Sequence, residues 1–164
     1  MVLIGLAAVA AGFGDQLGLL ERFGAGTQDV AGVARVQRVV DGDTIRVQAD
    51  GRTETVRYIG VDTPETKKPG APVECFGRRA AAENERVVAG ERVRLVAGVE
   101  PRDRYGRLLA YVRRERDGLF VNEHLVRGGW ARTLTIRPND RFAVRFRLAE
   151  RRARAAGAGL WSRC

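Results

Sequence analysis

Three short segments with strand patterns, separated by two Asp-Gly turns, constrain the fold of this chain more than any other feature. The segments are residues 33–40, 44–48 and 53–61. In the second segment, Ile45 and Val47 alternate with polar residues, as expected for a strand with one buried face. Asp41-Gly42-Asp43 and Asp50-Gly51 have the composition of tight turns, in which glycine permits positive φ. The sequence therefore predicts three consecutive strands joined by tight turns.

Two further strands and three helices are predicted along the rest of the chain. The strands are residues 91–97 and 108–113, and the first two helices are residues 77–89 and 120–127. A last helix is predicted after a cap at Asn139 or Asp140, with an apolar stripe from Phe142 to Ala156. Five strands and three helices in this order predict an α+β fold, mainly a β barrel. A small closed five-stranded barrel of this kind is compatible with an OB-fold.

Length and charge narrow the class of protein. A chain of 164 residues is long enough for one domain with a hydrophobic core, and an apolar fraction of 45% is typical of globular proteins. The net charge of +9 predicts an anionic partner, with nucleic acid ahead of an anionic membrane. An arginine-rich composition that reflects genomic base bias is the alternative explanation of this charge.

The N-terminal residues suggest export. Residues 2–13 are nearly all apolar and small, but this run is shorter than the roughly 20 residues that span a bilayer. It resembles the apolar part of a signal peptide, and Ala8-Val9-Ala10 fits a cleavage site. We therefore predict a signal-like segment and linker over residues 1–32, a folded domain over residues 33–164, and a secreted or envelope (periplasmic) location. Membrane association through residues 2–13 is the alternative.

Cys75 and Cys164 are the two cysteines of the chain. An even count permits one disulfide in an exported protein, whereas the alternative is two unpaired small apolar side chains. A bridge would tie the C-terminus to the start of the first helix, and it agrees with export. With a single histidine and no C-x-x-C pair, the composition does not favour a zinc site.

Two acidic turns flank the strand that contains Arg57. They are Asp41-Gly42-Asp43-Thr44 and Asp62-Thr63-Pro64-Glu65. An ionised carboxylate taken out of water costs several kcal/mol unless a partner neutralises it. Hard oxygen ligands such as those of Asp43 and Asp62 suit Ca²⁺ or Mg²⁺. The sequence therefore suggests a metal site beside an arginine.

The same residues match what hydrolysis of a phosphodiester requires. The phosphate charge must be neutralised, a water must lose a proton, and the charge of the transition state must be stabilised. Arg57 and Arg107, which come from different strands, suit bidentate contact with phosphate. The carboxylate of Glu65 can act on water. Each signal alone is weak, because Asp-Gly-Asp is often only a turn.

In combination these motifs closely resemble the staphylococcal nuclease (thermonuclease) family. The resemblance runs through Val40-Asp41-Gly42-Asp43-Thr44, Val56-Arg57-Tyr58-Ile59, Val61-Asp62-Thr63-Pro64-Glu65-Thr66, Asp103-Arg104-Tyr105-Gly106-Arg107, Val121-Asn122-Glu123 and Gly159-Leu160-Trp161-Ser162. It covers roughly residues 33–163 in unbroken order. It implies an OB-fold barrel with three helices and a Ca²⁺-dependent endonuclease that cuts DNA and RNA with little sugar specificity, leaving 3′-phosphate ends.

The resemblance also implies a role for each site residue. One Ca²⁺ ion would be bound by the carboxylates of Asp43 and Asp62 and by the main-chain carbonyl of Thr63. Glu65 would be the general base. The remaining implied residues bind phosphate or support the site: Arg57 and Arg107 as the phosphate clamp, Arg104 and Tyr105 at a terminal phosphate, and Asp41 and Thr44 as supports for the metal ligands.

One stretch departs from the family pattern. Where the family has tyrosines that line the base and phosphate pocket, this chain has Thr133-Leu134-Thr135-Ile136-Arg137. Stacking of a base on an aromatic ring is worth about 1–3 kcal/mol, so the departure bears on substrate affinity and base preference.

The alternative function is a noncatalytic OB-fold module that binds nucleic acid or protein. A third hypothesis is an envelope protein whose basic face meets anionic lipid. We expect a monomer with no obligate protein partner.

Overall fold

The computed structural model describes residues 32–66, 70 and 72–164. The predicted N-terminal segment and nearly all of its linker lie outside these residues, so the predictions made for them stay predictions. Within the described residues, every helix is too short or too polar to cross a membrane.

The described chain forms seven strands and four helices. The strands are β1 Val33–Asp41, β2 Thr44–Ala49, β3 Arg52–Tyr58, β4 Val61–Asp62, β5 Arg92–Arg102, β6 Leu108–Arg114 and β7 Arg132–Thr133. The helices are α1 Gly77–Val88, α2 Val121–Arg127, α3 Ala143–Ala155 and the four-residue α4 Leu160–Arg163. Five of the strands close a barrel in the order β1-β2-β3-β6-β5. This confirms the predicted α+β fold with its five-stranded OB-type barrel and three main helices; β7 and α4 were not predicted.

Strand pairing explains how the barrel closes and where its core lies. β1, β2 and β3 are successive antiparallel neighbours, and β5 returns to pair with β1. β3 and β6 pair in parallel, with Val56 opposite Leu108 and Arg57 opposite Leu109. Ile45 and Val47 are fully buried, as their alternation predicts. Apolar side chains from every barrel strand therefore fill the interior, and α1, α2 and α3 add their buried faces.

The third predicted strand, residues 53–61, is interrupted in the structure. β3 ends at Tyr58, and β4 pairs instead with β7 in a separate two-stranded sheet. Gly60 turns the chain between them with φ of 80°, a left-handed conformation that favours glycine. A Cβ atom there would also lie 2.6 Å from the ring of Phe146. The interruption matters for function because it separates Arg57 from Asp62 by a turn.

The predicted cap of the last helix is wrong. α3 begins at Ala143, and neither Asn139 nor Asp140 caps it through its side chain. The buried side chain of Asn139 instead accepts the N–H of Glu100 at 3.0 Å and donates to its carbonyl at 2.8 Å. Asn139 therefore provides hydrogen-bond partners for the main-chain N–H and carbonyl of Glu100 near the end of β5. This strand is longer than predicted.

The two cysteines lie together. The structure pairs Cys75 with Cys164 as a disulfide, with Cα atoms 5.9 Å apart, so the geometry agrees with the bridged alternative. The pair joins the segment before α1 to the end of α4, although the two residues are 89 positions apart in sequence.

Asn122 gives a test of the packing between α2 and the barrel. Its fully buried side chain accepts the N–H of Val112 at 2.8 Å and donates to the carbonyl of Ile59 at 2.8 Å. Asn122→Ala leaves two buried main-chain groups unpaired, so we expect the free energy of unfolding to fall by about 2 kcal/mol or more. Denaturant titration measures this loss. Exposed Thr135→Ala is the control, and equal stability of the two variants would contradict the prediction.

Candidate active site

Arg57 lies between the two acidic turns and contacts both. On β3, its Nε is 3.1 Å from Oδ1 of Asp43, in the β1–β2 turn. Its Nη2 donates to Oδ1 of Asp62 on β4 at 3.0 Å. Its Nη1 donates to the main-chain carbonyls of Tyr58 and Val61 at 2.9 and 2.8 Å. One guanidinium therefore holds together three consecutive parts of the chain.

Asp43 is buried and hydrogen-bonded through both carboxylate oxygens. Oδ2 accepts the N–H of Thr63 at 2.8 Å and its hydroxyl at 2.9 Å, and Oδ1 accepts the hydroxyl of Thr44 at 3.1 Å. The residue is only 4% exposed. These bonds and the ion pair with Arg57 offset the loss of hydration that burial imposes on an ionised carboxylate. The structure thus brings Asp43, Thr44, Thr63 and Arg57 together, as the site prediction requires.

Negative charge is concentrated around this pair. Oδ1 of Asp41 accepts the N–H of Asp43 at 3.1 Å. Burial, followed by repulsion from Asp43, raises the pKa of Asp41 to about 6. Burial also raises the pKa of Asp62, although Arg57 acts against this shift. Three carboxylates therefore lie close together here, and Arg57 contacts two of them directly.

The donors around Arg57 fit a hard divalent cation. The carboxylates of Asp43 and Asp62 offer oxygen ligands of the kind that Ca²⁺ and Mg²⁺ bind, and the local excess of negative charge favours a cation. In the described part of the chain, no three Asp, Glu, His or Cys side chains are grouped so that they could hold a metal ion. A cation here would therefore use two carboxylates together with main-chain or water oxygens, and the predicted carbonyl of Thr63 belongs to that class.

A cavity of about 400 Å³ brings the predicted phosphate-binding residues together. Arg57, Arg104, Tyr105 and Arg107 all line it. Oδ1 of Asp103 accepts the N–H groups of Tyr105 and Arg107, at 2.9 and 3.0 Å, and its Oδ2 accepts Nε of Arg107 at 2.7 Å. Asp103 therefore orders the loop between β5 and β6 and orients Arg107.

Tyr105 adds an aromatic surface to this cavity. Nη2 of Arg104 donates to its hydroxyl at 2.7 Å, and the guanidinium carbons of Arg104 and Arg107 lie 4.8 and 5.4 Å from its ring centroid. These are cation–π distances. With 67% of its surface exposed, the ring is available for contact with a bound molecule.

Two aliphatic side chains also line the cavity. Leu134 and Ile136 line it and are 39% and 63% exposed. They belong to residues 133–137, the stretch that departs from the pattern of the family that the sequence resembles. The side chains of Leu134 and Ile136 thus offer a bound molecule apolar contact, without an aromatic ring or a hydroxyl group.

Glu65 lies next to the metal-ligand candidates in sequence but does not line the cavity. Its Oε1 accepts the N–H of Thr66 at 2.7 Å. Its main-chain N–H donates to Oε2 of Glu74 at 3.1 Å, and its carbonyl accepts the N–H of Glu74 at 2.9 Å. The structure therefore places the predicted general base outside the lining of the cavity that contains Arg57 and Arg107.

Two residues at the site were missed by sequence reasoning. Glu74 holds the main chain of Glu65, and buried Asn84 of α1 donates to the carbonyl of Asp41 at 2.9 Å. Asn84 also accepts the hydroxyl of Tyr58 at 3.0 Å. A polar residue on the inner face of α1 was the only sequence signal for Asn84, and no signal pointed to Glu74.

Comparisons of the sequence with known proteins identify its relatives. The family model described as staphylococcal nuclease homologue matches residues 55–163, a span that includes Arg57, Asp62, Glu65 and Arg107 and begins after Asp43. The thermonuclease of Staphylococcus intermedius is 43% identical over 128 residues, which cover 78% of this chain and 75% of that protein. The thermonuclease of Staphylococcus hyicus is 41% identical with the same coverage. Endonuclease YncB of Bacillus subtilis is 42% identical over 130 residues, which cover 78% of this chain and 61% of that protein.

The two aspartates that contact Arg57 should differ in their contribution to stability. Asp43→Ala leaves the two Thr63 donors without their acceptor in a buried place, and it removes the partner of Nε of Arg57, which keeps its contacts with Asp62 and two main-chain carbonyls. We expect the free energy of unfolding to fall by about 3 kcal/mol. Asp62→Ala is the matched control, because its carboxylate is 56% exposed and its loss should cost below about 1 kcal/mol. Urea titration measures the free energy of unfolding of both variants, and similar losses of stability in the two would contradict the prediction.

Proposed function

The chain belongs to the staphylococcal nuclease family and is a nuclease of that family, and we propose that it is a Ca²⁺-dependent endonuclease acting on both DNA and RNA. It would cut with little sugar specificity and leave 3′-phosphate ends. We further propose that residues 33–164 form the nuclease domain and that it acts as a monomer.

The observation that carries the proposal is the position of Arg57. Its guanidinium contacts the carboxylates of Asp43 and Asp62 and also lines the cavity that contains Arg107. Oxygen ligands for a cation and two guanidinium groups for a phosphate are therefore adjacent. This is the combination that hydrolysis of a phosphodiester requires.

Each site residue would have a separate role in the hydrolysis. Arg57 and Arg107 would bind the phosphate oxygens and neutralise their charge, and Arg107 would also contact the leaving 5′ oxygen. Glu65 would accept a proton from the attacking water, either directly or through a second water. Cleavage of the bond between phosphorus and the 5′ oxygen leaves the phosphate on the 3′ side. A Ca²⁺ ion held by Asp43, Asp62 and the Thr63 carbonyl would polarise a phosphate oxygen.

The other site residues would orient these groups. Arg104 and Tyr105 would contact a terminal phosphate, since both lie at the cavity with their polar groups exposed. Asp41 and Thr44 would support Asp43 through the hydrogen bonds described above. The aliphatic wall of Leu134 and Ile136 supports low base and sugar selectivity, because it offers no donor or acceptor to a base edge or a 2′-hydroxyl.

The proposed location is outside the cytoplasm, in the envelope or the medium. An exported protein can keep a disulfide, and the Cys75–Cys164 pair supports this. The apolar run at residues 2–13 supports it from the sequence. Membrane association through that run stays a prediction.

Digestion of plasmid DNA and of a defined RNA tests the proposal. Each substrate is incubated with Ca²⁺, with Mg²⁺, or with chelator, and product ends are identified by whether a kinase or a phosphatase is needed for labelling. We expect cleavage of both substrates with Ca²⁺, loss of cleavage with chelator, and 3′-phosphate products. Absence of cleavage in every condition, with binding retained, would instead favour the noncatalytic OB-fold module.

Glu65→Gln and Arg57→Lys test the assigned roles. Gln cannot accept a proton, so we expect kcat to fall by about 100-fold or more. Lys cannot reproduce the forked contacts of Arg57, and we expect a loss of similar size. Glu85→Gln and Arg147→Lys, at exposed helix positions, are matched controls. Circular dichroism confirms folding, and wild-type kcat in both site variants would refute the assigned roles.

A further inference from the structure

We propose that Glu74 is a positioning residue for Glu65 and that the Cys75–Cys164 disulfide holds Glu74 in place, so that reduction of this disulfide lowers activity. The inference rests on the proposed role of Glu65 as general base. It assigns a function to the disulfide and to Glu74 that concerns catalysis as well as stability.

The first observation is that Glu74 holds the main chain of Glu65 on both sides. The Glu74 carboxylate accepts the N–H of Glu65 at 3.1 Å, and the Glu74 N–H donates to the carbonyl of Glu65 at 2.9 Å. With its N–H and its carbonyl both bound to one residue, Glu65 has a fixed main-chain orientation. The direction in which its side chain leaves the chain therefore depends on where Glu74 lies.

The second observation is that the start of α1 packs directly on the same segment. A Cβ atom on Gly77 would lie 2.9 Å from the main-chain carbonyl oxygens of Pro64 and Glu65. Gly77 also donates its N–H to the carbonyl of Glu74 at 3.0 Å. Phe76 precedes it with φ of 71° and stacks on Trp130, with ring centroids 5.1 Å apart. Any shift of residues 74–77 is therefore transmitted to Glu65.

The third observation is that the disulfide connects this segment to a firmly packed part of the fold. Cys75 directly follows Glu74, and its partner Cys164 donates its N–H to the carbonyl of Leu160 at 3.2 Å. Leu160 is only 3% exposed, and its N–H donates to the carbonyl of Gly129 at 2.9 Å. The bridge thus links the position of Glu74 to α4 and to the end of α2.

Few other contacts of Glu74 and Cys75 would replace the bridge. Glu74, Cys75 and Cys164 are all exposed, so water competes for the Glu74 hydrogen bonds and a reductant can reach the sulfur atoms. Segments held mainly by solvent-exposed hydrogen bonds open at low free-energy cost. Loss of the bridge should therefore let Glu74 and Cys75 depart from Glu65 while Phe76 and the barrel stay in place.

The positions of the substrate-binding residues do not depend on the disulfide. Arg57 lies on β3, and Arg104, Tyr105 and Arg107 lie on the loop between β5 and β6, which Asp103 orders. Displacement of Glu65 should therefore lower kcat and leave KM nearly unchanged. A disulfide that only stabilised the fold would instead change the fraction of folded protein and the melting temperature.

Kinetics of the full chain before and after reduction test the proposal. A tertiary phosphine breaks the S–S bond and takes the oxygen of one water to become its oxide, and the two protons of that water convert the sulfurs to thiols. With saturating Ca²⁺ and a short DNA substrate, we expect kcat to fall about 10-fold and KM to change less than about 2-fold. Thiol counting confirms reduction, and circular dichroism confirms that the barrel stays folded.

Three variants separate positioning from general stabilisation. The Cys75→Ser, Cys164→Ser double variant should have the lowered kcat with or without phosphine. Glu74→Ala should lower kcat with the disulfide intact, whereas Glu74→Gln, which keeps an acceptor for the Glu65 N–H, should retain most of it. Equal activity of Glu74→Ala and the wild type, or parallel changes in kcat and folded fraction, would overturn the proposal.

Hydrogen exchange at the Glu65 amide supplies a readout that does not depend on activity. Reduction should accelerate its exchange by about 10-fold or more, because the acceptor carboxylate of Glu74 moves away. Unchanged exchange and unchanged kcat in the fully reduced protein would overturn the proposal. If the oxidised wild type cleaves nothing with any cation but its Glu65 amide still loses protection on reduction, the proposed function fails and the structural link from the disulfide to Glu65 stands.

Discussion

The ion pair between Arg57 and Asp43 is the interaction on which the functional end of this barrel depends. Both side chains are largely removed from water, 14% and 6% exposed, and each is stabilised by further hydrogen bonds. Because Arg57 also contacts Asp62 and two main-chain carbonyls, it fixes the β1–β2 turn against the turn from β3 to β4. A buried charge without these partners would cost several kcal/mol. The turns therefore supply the partners that the buried ion pair needs, and the ion pair in return holds the turns together.

Barrel closure determines which residues meet this pair. β3 and β6 run in parallel, and Arg57 is paired with Leu109. Arg107 precedes Leu109 by two positions, and Arg57 and Arg107 both line the cavity at this end of the barrel. The loop between β5 and β6 and the stretch from Leu134 to Asn139 contribute further lining residues to this cavity. The fold thus brings together two arginines that are distant in sequence: Arg57 is held on β3, and Arg107 is held on the loop that Asp103 orders.

The other side of the site is held differently. Glu65 follows β4 in a segment whose main chain is bound by Glu74 and packed against Gly77. That support leads through Cys75 and Cys164 to α4, and through Phe76 and Gly77 to α1. Arg57 is therefore built into the sheet and Arg107 into the loop beside it, while the position of Glu65 depends in part on a covalent link between two exposed segments. This difference in support is the physical basis for expecting binding and turnover to respond separately to reduction.

The sequence by itself determined the barrel and the composition of the site. Alternation at Ile45 and Val47, the Asp-Gly turns and the order of five strands and three helices predicted the observed fold, because local patterns reflect which face of each strand is buried. It did not predict the break at Gly60, the start of α3 at Ala143 or the role of Asn139, since these depend on close contacts with Phe146 and with the end of β5. The acids and arginines were identified as a site, but only the tertiary structure decided that Arg57 lies between Asp43 and Asp62, and that Glu74 holds Glu65. Those relations arise from the closure register and from contacts across the fold, which hydrophobic periodicity and turn composition do not encode.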